Sequence, residues 1–144
     1  MPQNAPPVPV RLLALAESLG VDVCTVYSYK DAFRLLRLEA SYGLNNAVVG
    51  YTIPIEQGLV GRVARTGLPF STRNPASHPD YHFGPGSGEE KYASFLGMPI
   101  KYFDTLLGVL AVQTVSPRAF RIAEIESIYR MGKGVVLEVL DRDS

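Results

Sequence analysis

Gly88-Glu89-Glu90-Lys91-Tyr92-Ala93-Ser94-Phe95-Leu96-Gly97-Met98-Pro99-Ile100, followed closely by Leu106-Leu107-Gly108-Val109-Leu110-Ala111-Val112-Gln113, is the stretch that decides the fold. Both segments are apolar runs rich in branched and aromatic residues, with Asp104-Thr105 between them. That pattern predicts a β-hairpin built from Phe95–Phe103 and Leu106–Val115. Immediately upstream, Arg73 to Gly88 is crowded with proline, glycine, histidine and aromatic side chains. Loops longer than about 12 residues in compact domains tend to be lids or binding loops. The combination describes a sheet with a lid over it.

Outward from this centre, Leu59, Val60, Val63 and Ala64 recur at helical spacing, and Gly58 and Gly67 punctuate the ends of a helix over Leu59–Thr66. Pro69–Thr72 reads as a short strand. Leu44–Gln57 has no firm assignment, and Pro54 argues against a central strand there. Val21–Tyr29 alternates β-branched and aromatic residues and predicts a strand, with a turn at Lys30-Asp31 and a returning strand over Phe33–Ala40. Val10–Leu19 is a short amphipathic helix stopped by Gly20. At the far end, Ala119–Arg142 carries Ile122, Ile125, Tyr129, Val136 and Val139 at helical period, interrupted by Gly132 and Gly134. Glu89 and Glu90 suit the start of a short helix, where negative charge complements the macrodipole. The expected fold is α+β: a central antiparallel sheet of five to six strands, with the terminal helices on one face and a loop and short-helix lid on the other. Met1–Pro9, with four prolines in nine residues, is expected to be a disordered lead-in to one domain over residues 10–144.

Composition excludes several classes of function. Fourteen basic and 14 acidic residues balance to zero, and no basic run offers the phosphate neutralisation on which nucleic-acid affinity rests. The longest apolar runs fall well short of the ~20 residues that span a bilayer. One cysteine, Cys24, excludes an intrachain disulfide and fits a reducing compartment, so the expected location is the cytoplasm.

Little in the chain looks catalytic. Cys24 alternates within a strand between apolar neighbours, as a buried, inert thiol does. No nucleophile elbow, Walker loop or dinucleotide fingerprint is present. His78, Asp80 and His82 have a spacing that could ligate a metal, against the plainer reading of a turn cap and a pocket edge; no metal or other cofactor is expected. Tyr81, His82, Phe83, Tyr92 and Phe95 form an aromatic cluster in and after the insert, and such walls with a few polar groups suit a small polar metabolite. The alternative is that these rings only seal the sheet. The expected ligand-binding set is Tyr27, Tyr81, His82, Tyr92, Phe95 and Met98.

The pairing of Gly-Glu-Glu-Lys-Tyr-Ala-Ser-Phe-Leu-Gly-Met-Pro-Ile with Leu-Gly-Val-Leu-Ala-Val-Gln, followed by Arg118 and Phe120 and preceded by His78-Pro79-Asp80-Tyr81, resembles the GAF domain. It is most similar to the N-terminal GAF domain of nitrogen-type phosphotransferase enzyme I (phosphoenolpyruvate-protein phosphotransferase). The resemblance implies a non-catalytic sensory module that responds to a small metabolite, such as glutamine or 2-oxoglutarate, and passes the signal on. The residues present include no phosphorylatable-histidine domain and no phosphoenolpyruvate barrel, so phosphotransfer is not carried over. The two other readings are a structural dimerisation module and a metal, haem or redox sensor. A homodimer through the terminal helices is expected, because Val135, Val136, Leu137, Val139 and Leu140 wrap around the last turns.

Overall fold

A computed structural model describes residues 9–44, 48–81 and 92–141. The element order is α1 (Val10–Leu19), β1 (Val23–Lys30), β2 (Leu35–Tyr42), β3 (Thr52–Pro54), α2 (Gly58–Thr66), β4 (Phe70–Arg73), β5 (Ser94–Tyr102), β6 (Thr105–Thr114) and α3 (Ile122–Asp141). The strands form one six-stranded sheet in the order β3-β2-β1-β6-β5-β4, antiparallel throughout. Most of the Pro-rich lead-in, His82 and the short helix expected at Glu89 lie outside the described residues.

Local chemistry explains the boundaries. Gly20 adopts φ 68° after α1. Its N–H then reaches Glu17 O at 3.2 Å, and the Val21 N–H reaches Ala16 O at 3.2 Å, the paired bonds of a Schellman stop. A 3-10 turn over Asp31–Phe33 and a left-handed Arg34 carry the chain between β1 and β2, so β2 starts at Leu35 rather than Phe33. Pro54 ends β3, an edge strand, where a missing N–H costs the ladder least. Tyr102 pairs with Thr105, which makes Phe103-Asp104 the β5–β6 turn, one residue earlier than expected. α3 starts at Ile122, not Ala119, and runs unbroken through Gly132 and Gly134. Glu124 explains that start: its carboxylate accepts the Arg121 N–H at 3.0 Å and an Arg118 guanidinium N–H at 3.2 Å. These two donors, the backbone one foremost, hold the Glu124 carboxyl below its ordinary pKa. Arg118 also donates to Leu19 O at 2.9 Å, tying the end of α1 to the start of α3.

In β2, Tyr27 is opposite Leu38 and Val26 is opposite Ala40, so Glu39 is an extra residue in a β-bulge. Its side chain is only 4% exposed, and its carboxylate is met by the Ser28 hydroxyl, Arg37 and Lys30.

The sheet separates two apolar clusters. On one side, Leu12, Leu15, Ala16, Ile128, Val135, Val136 and Val139 of the terminal helices pack on Cys24, Val26, Leu96, Met98, Ile100, Leu110 and Val112. On the other, Leu59, Val63 and Ala64 of α2 pack on Val23, Tyr27, Leu36, Leu38, Phe95, Val109 and Ala111. Each fully buried Val, Leu or Ile contributes about 1.5–3 kcal/mol, so the two layers are the main stabilising term. The apolar excess read in α3 is largely absorbed here: Val135, Val136 and Val139 are buried against the sheet, leaving Leu137 exposed.

Candidate functional site

Two glycines let α2 pack closely enough to shape a cavity, Gly97 against the sheet and Gly61 against the turn that leads into the helix. A Cβ on Gly61 would lie 2.6 Å from Ile55 O, and one on Gly97 would lie 2.7 Å from Val63 Cγ2, so neither position has room for a side chain. The helix enters from Gln57 without any side-chain cap on its first N–H groups. Gln57, Gly58, Leu59 and Val60, the residues of that first turn, form one wall of a cavity of about 60 Å³. Tyr27, Ile53, Phe95 and Gln113 of the sheet form the floor, and Pro75 and Tyr81 from the insert form the third side. Apolar faces therefore surround two phenols, two carboxamides and an uncapped helix start, the mix that orients a small polar ligand.

The insert is fastened to α2 by charge. Asn74, at φ 57°, opens a 3-10 turn over Pro75–Ser77, and the Asn74 N–H is held by Ala93 O at 2.9 Å. The Asp80 carboxylate lies 3.0 Å from Arg62 Nη1 and 3.8 Å from Arg65 Nη2. Arg62 also covers the Phe70 ring at 4.4 Å, and that ring meets His78 edge-on at 5.0 Å. His78 Nδ1 accepts the Asp80 N–H at 3.0 Å, and His78 O accepts the Tyr81 N–H at 3.0 Å. His78 therefore shapes the turn, as its position ahead of Pro79 suggested. Asp80 is thus held between two arginines and His78 Nδ1 is taken by a backbone N–H, as the plainer reading of a turn cap has it; His82 lies outside the described residues. Among the described residues no group of three or more His, Cys, Asp or Glu could hold a metal ion.

Of the residues expected from the sequence, Tyr27, Tyr81 and Phe95 line the cavity. Tyr92 is buried in the same apolar cluster without being one of the lining residues. Met98 is a correction: it is fully buried in the cluster under α1 and α3, on the opposite face of the sheet. Side chains alternate along a strand, so Phe95 and Met98, three residues apart, cannot share a face. Sequence reading missed Ile53, Gln57, Pro75 and Gln113. Gln113 shares parity with Val109 and Ala111, and that was the available signal.

Cys24 also lies on the helix-covered face, fully buried, and burial pushes its thiol up to about 12. It stays protonated at neutral pH and is remote from the cavity wall. Among the described residues, no helix is long and apolar enough to cross a membrane.

Comparison with known proteins places this architecture. The sequence model of the GAF domain matches residues 10–135. The chain is 33% identical over 85 residues to a phosphoenolpyruvate-dependent phosphotransferase system protein of Escherichia coli (strain K12), covering 58% of this chain and 11% of that protein. It is 34% identical over 109 residues to a Nif-specific regulatory protein of Azospirillum lipoferum, covering 73% of this chain and 17% of that protein. The chain thus spans less than a fifth of either curated relative. Among solved structures, the GAF domain from an Acinetobacter phosphoenolpyruvate-protein phosphotransferase superposes with a TM-score of 0.76 at 30% identity, over 91% of this chain and 77% of that one. A type II free methionine-R-sulfoxide reductase from Thermoplasma acidophilum shares the fold, with a TM-score of 0.73 at 18% identity over 90% and 87% of the two chains.

Proposed function

This chain belongs to the GAF domain family, and from that premise we infer that it is a non-catalytic sensory module whose cavity between α2 and the sheet takes a small cytoplasmic metabolite. The observation that carries the reading is the cavity itself. Tyr27, Tyr81, Gln57 and Gln113 bring hydrogen-bonding groups to an apolar chamber, and the uncapped first turn of α2 adds N–H groups suited to a carboxylate or carbonyl oxygen. At about 60 Å³ it is far below the ~300–1,000 Å³ of sites for drug-sized ligands, which favours a compact amino acid or 2-oxo acid over a nucleotide. The kinship with phosphotransferase and Nif-regulatory proteins supports a nitrogen-status signal, glutamine or 2-oxoglutarate, passed to an attached or separate output partner.

A thermal-shift series with glutamine, glutamate and 2-oxoglutarate tests this. A ligand at 100 times its Kd stabilises the fold by about 2.7 kcal/mol. Tyr81→Phe and Gln113→Leu keep the shape of the wall while removing polar groups, and each should shrink the shift. Equal protection of wild type and both variants would move the site elsewhere, and no protection by any of the three compounds would refute the nitrogen-signal reading.

Self-association through the terminal helices is the second part of the reading. Val10, Ile122, Met131 and Leu137 remain exposed on α1 and α3. Sedimentation at micromolar concentration should show a dimer that Leu137→Lys weakens; a wild-type monomer would refute it.

A further inference from the structure

A second concavity opens at the end of the sheet where the β1–β2 and β5–β6 turns come together. It measures about 390 Å³, its walls include Tyr29, Asp31, Ala64, Asp104 and Thr105, and it shares no lining residue with the cavity under α2. Its only charged lining groups are the two aspartates, and neither joins an ion pair among the described residues. Two of the cations near this end pair with other acids: Arg34 reaches Glu56 at 3.3 Å and Lys30 reaches Glu39 at 3.9 Å, while the Lys101 ammonium sits beside Gly67 at the end of α2 and joins no ion pair among the described residues.

Near the cleft-lining residues in sequence, large apolar side chains stand in water. Phe103 is 84% exposed, Phe33 74%, Tyr102 65% and Leu68 63%. Each sits within four residues of a residue that lines the cleft. Phe103 is the most telling. It occupies the first position of a two-residue hairpin turn at φ 56°, a backbone region where glycine or asparagine is the usual occupant. Its ring meets only Tyr102 edge-on, at 4.7 Å, among the aromatic contacts of the described residues. Folding gains little from placing that ring there: the backbone is strained, and the solvated side chain returns only its edge-on contact with Tyr102. Strain of this kind, retained for so small a packing return, points to function.

We propose that this end of the domain is a docking surface for a partner-protein segment that carries a lysine or arginine between apolar side chains. The cation enters the cleft against Asp31 and Asp104, and the flanking side chains cover Phe103, Phe33 and Leu68. Charge complementarity selects this occupant: two desolvating carboxylates repel an acidic segment and leave an uncharged one with unpaired groups to bury. Aromatic side chains beside a charged centre are the usual anchors of such interfaces. The surface is independent of the ligand cavity, so it can exist whatever that cavity binds.

The test is selection of a random linear peptide library displayed on phage against the immobilised chain. The selected peptides are then measured against wild type, Phe103→Gly, and Asp31→Asn with Asp104→Asn. Phe103→Gly suits the turn better than phenylalanine and the asparagines are isosteric, so all three proteins should fold, which circular dichroism checks. The expected result is enrichment of Lys or Arg flanked by Leu, Phe or Trp. Binding should fall at least tenfold in each variant and weaken as salt rises. Failure to enrich any sequence, enrichment of acidic or uncharged sequences, or equal binding to Phe103→Gly would each overturn the proposal. A wild-type dimer that Phe103→Gly dissociates would assign the surface to a second copy of the chain and overturn it as well.

Discussion

Replacing Gly134 by alanine should stabilise the domain, and the same change two residues earlier in the same helix should not. Alanine is favoured over glycine inside a helix by about 1 kcal/mol, so both substitutions start with that gain. What differs is the space each Cβ meets. At Gly134 the nearest heavy atom is Arg11 Nη2 at 3.4 Å, the tip of a side chain that is more than half exposed and can move aside. At Gly132 the Cβ would lie 2.4 Å from Leu110 Cδ2, and Leu110 is fully buried in the sheet between β1 and β5. Overpacking a core costs about 1–3 kcal/mol. Gly134→Ala should therefore gain about 1 kcal/mol, and Gly132→Ala should come out between neutral and about 2 kcal/mol destabilised. At this chain length 1 kcal/mol moves Tm by about 4 °C, well within the resolution of calorimetry. Urea titration checks that the slope of the transition stays constant, so that the shifts are changes in stability. If the two variants shift Tm upward by the same amount, the close approach of α3 to Leu110 is not as described and the reasoning fails.

Two further outcomes follow from the titrating groups. Cys24 should resist thiol reagents at pH 8 in the folded chain and react once denaturant is added, because burial raises its pKa from 9.0 to about 12. The unfolded thiol ionises first, so stability should decline between about pH 9 and 12, by up to about 1.4 kcal/mol per pH unit, and Cys24→Ala should flatten that limb; identical alkaline melting of the two proteins would contradict the buried thiol. Glu124 has a lowered pKa, so its contribution is present above the ordinary carboxylate range and is lost as pH falls through the folded value. The group is well solvated, so Glu124→Gln should cost less than about 1 kcal/mol at pH 7 and converge with wild type as pH falls below the folded value, as pH-dependent chemical denaturation would show.

Much of the fold was readable because several elements carry their own punctuation. Val10–Leu19 ends at the glycine that stops α1, and the glycines at 58 and 67 bracket α2. The β5–β6 hairpin announces itself by two branched apolar runs. β3 could not be read: it is three residues long, and what makes it a strand is its pairing with Leu35–Arg37, a tertiary fact. Gly132 and Gly134 read as interruptions because propensity weighs each residue alone, whereas the sheet packed beneath α3 stabilises the helix through them. The candidate site was half legible. Aromatic residues marked Tyr27, Tyr81 and Phe95, but the expected set also took in Met98 from the same apolar run, which strand parity excludes. Gln57 and Gln113 were missed because a polar residue near the end of an element reads as solvent-facing until the opposite wall is known.

The bulge at Glu39 acts as a frameshift in the pleat of β2. Leu36 and Leu38 belong to the cluster under α2, while Ala40, at the same even spacing, belongs to the cluster under α1 and α3. A strand that strictly alternated would have sent all three to one side. The inserted residue lets a single eight-residue ribbon answer to two masters: its first half is read against the α2 side and its second against the side of the terminal helices. Deleting residue 39 would leave Leu38 opposite Tyr27 and Ala40 opposite Val26, so every side chain would keep its face and regular pleating would return. What the extra residue adds is therefore not the facing of its neighbours but a buried carboxylate, met by Ser28, Arg37 and Lys30, at the point where the strand changes sides. Position 39 is a place where the chain can carry a charge into the sheet without disturbing either apolar layer.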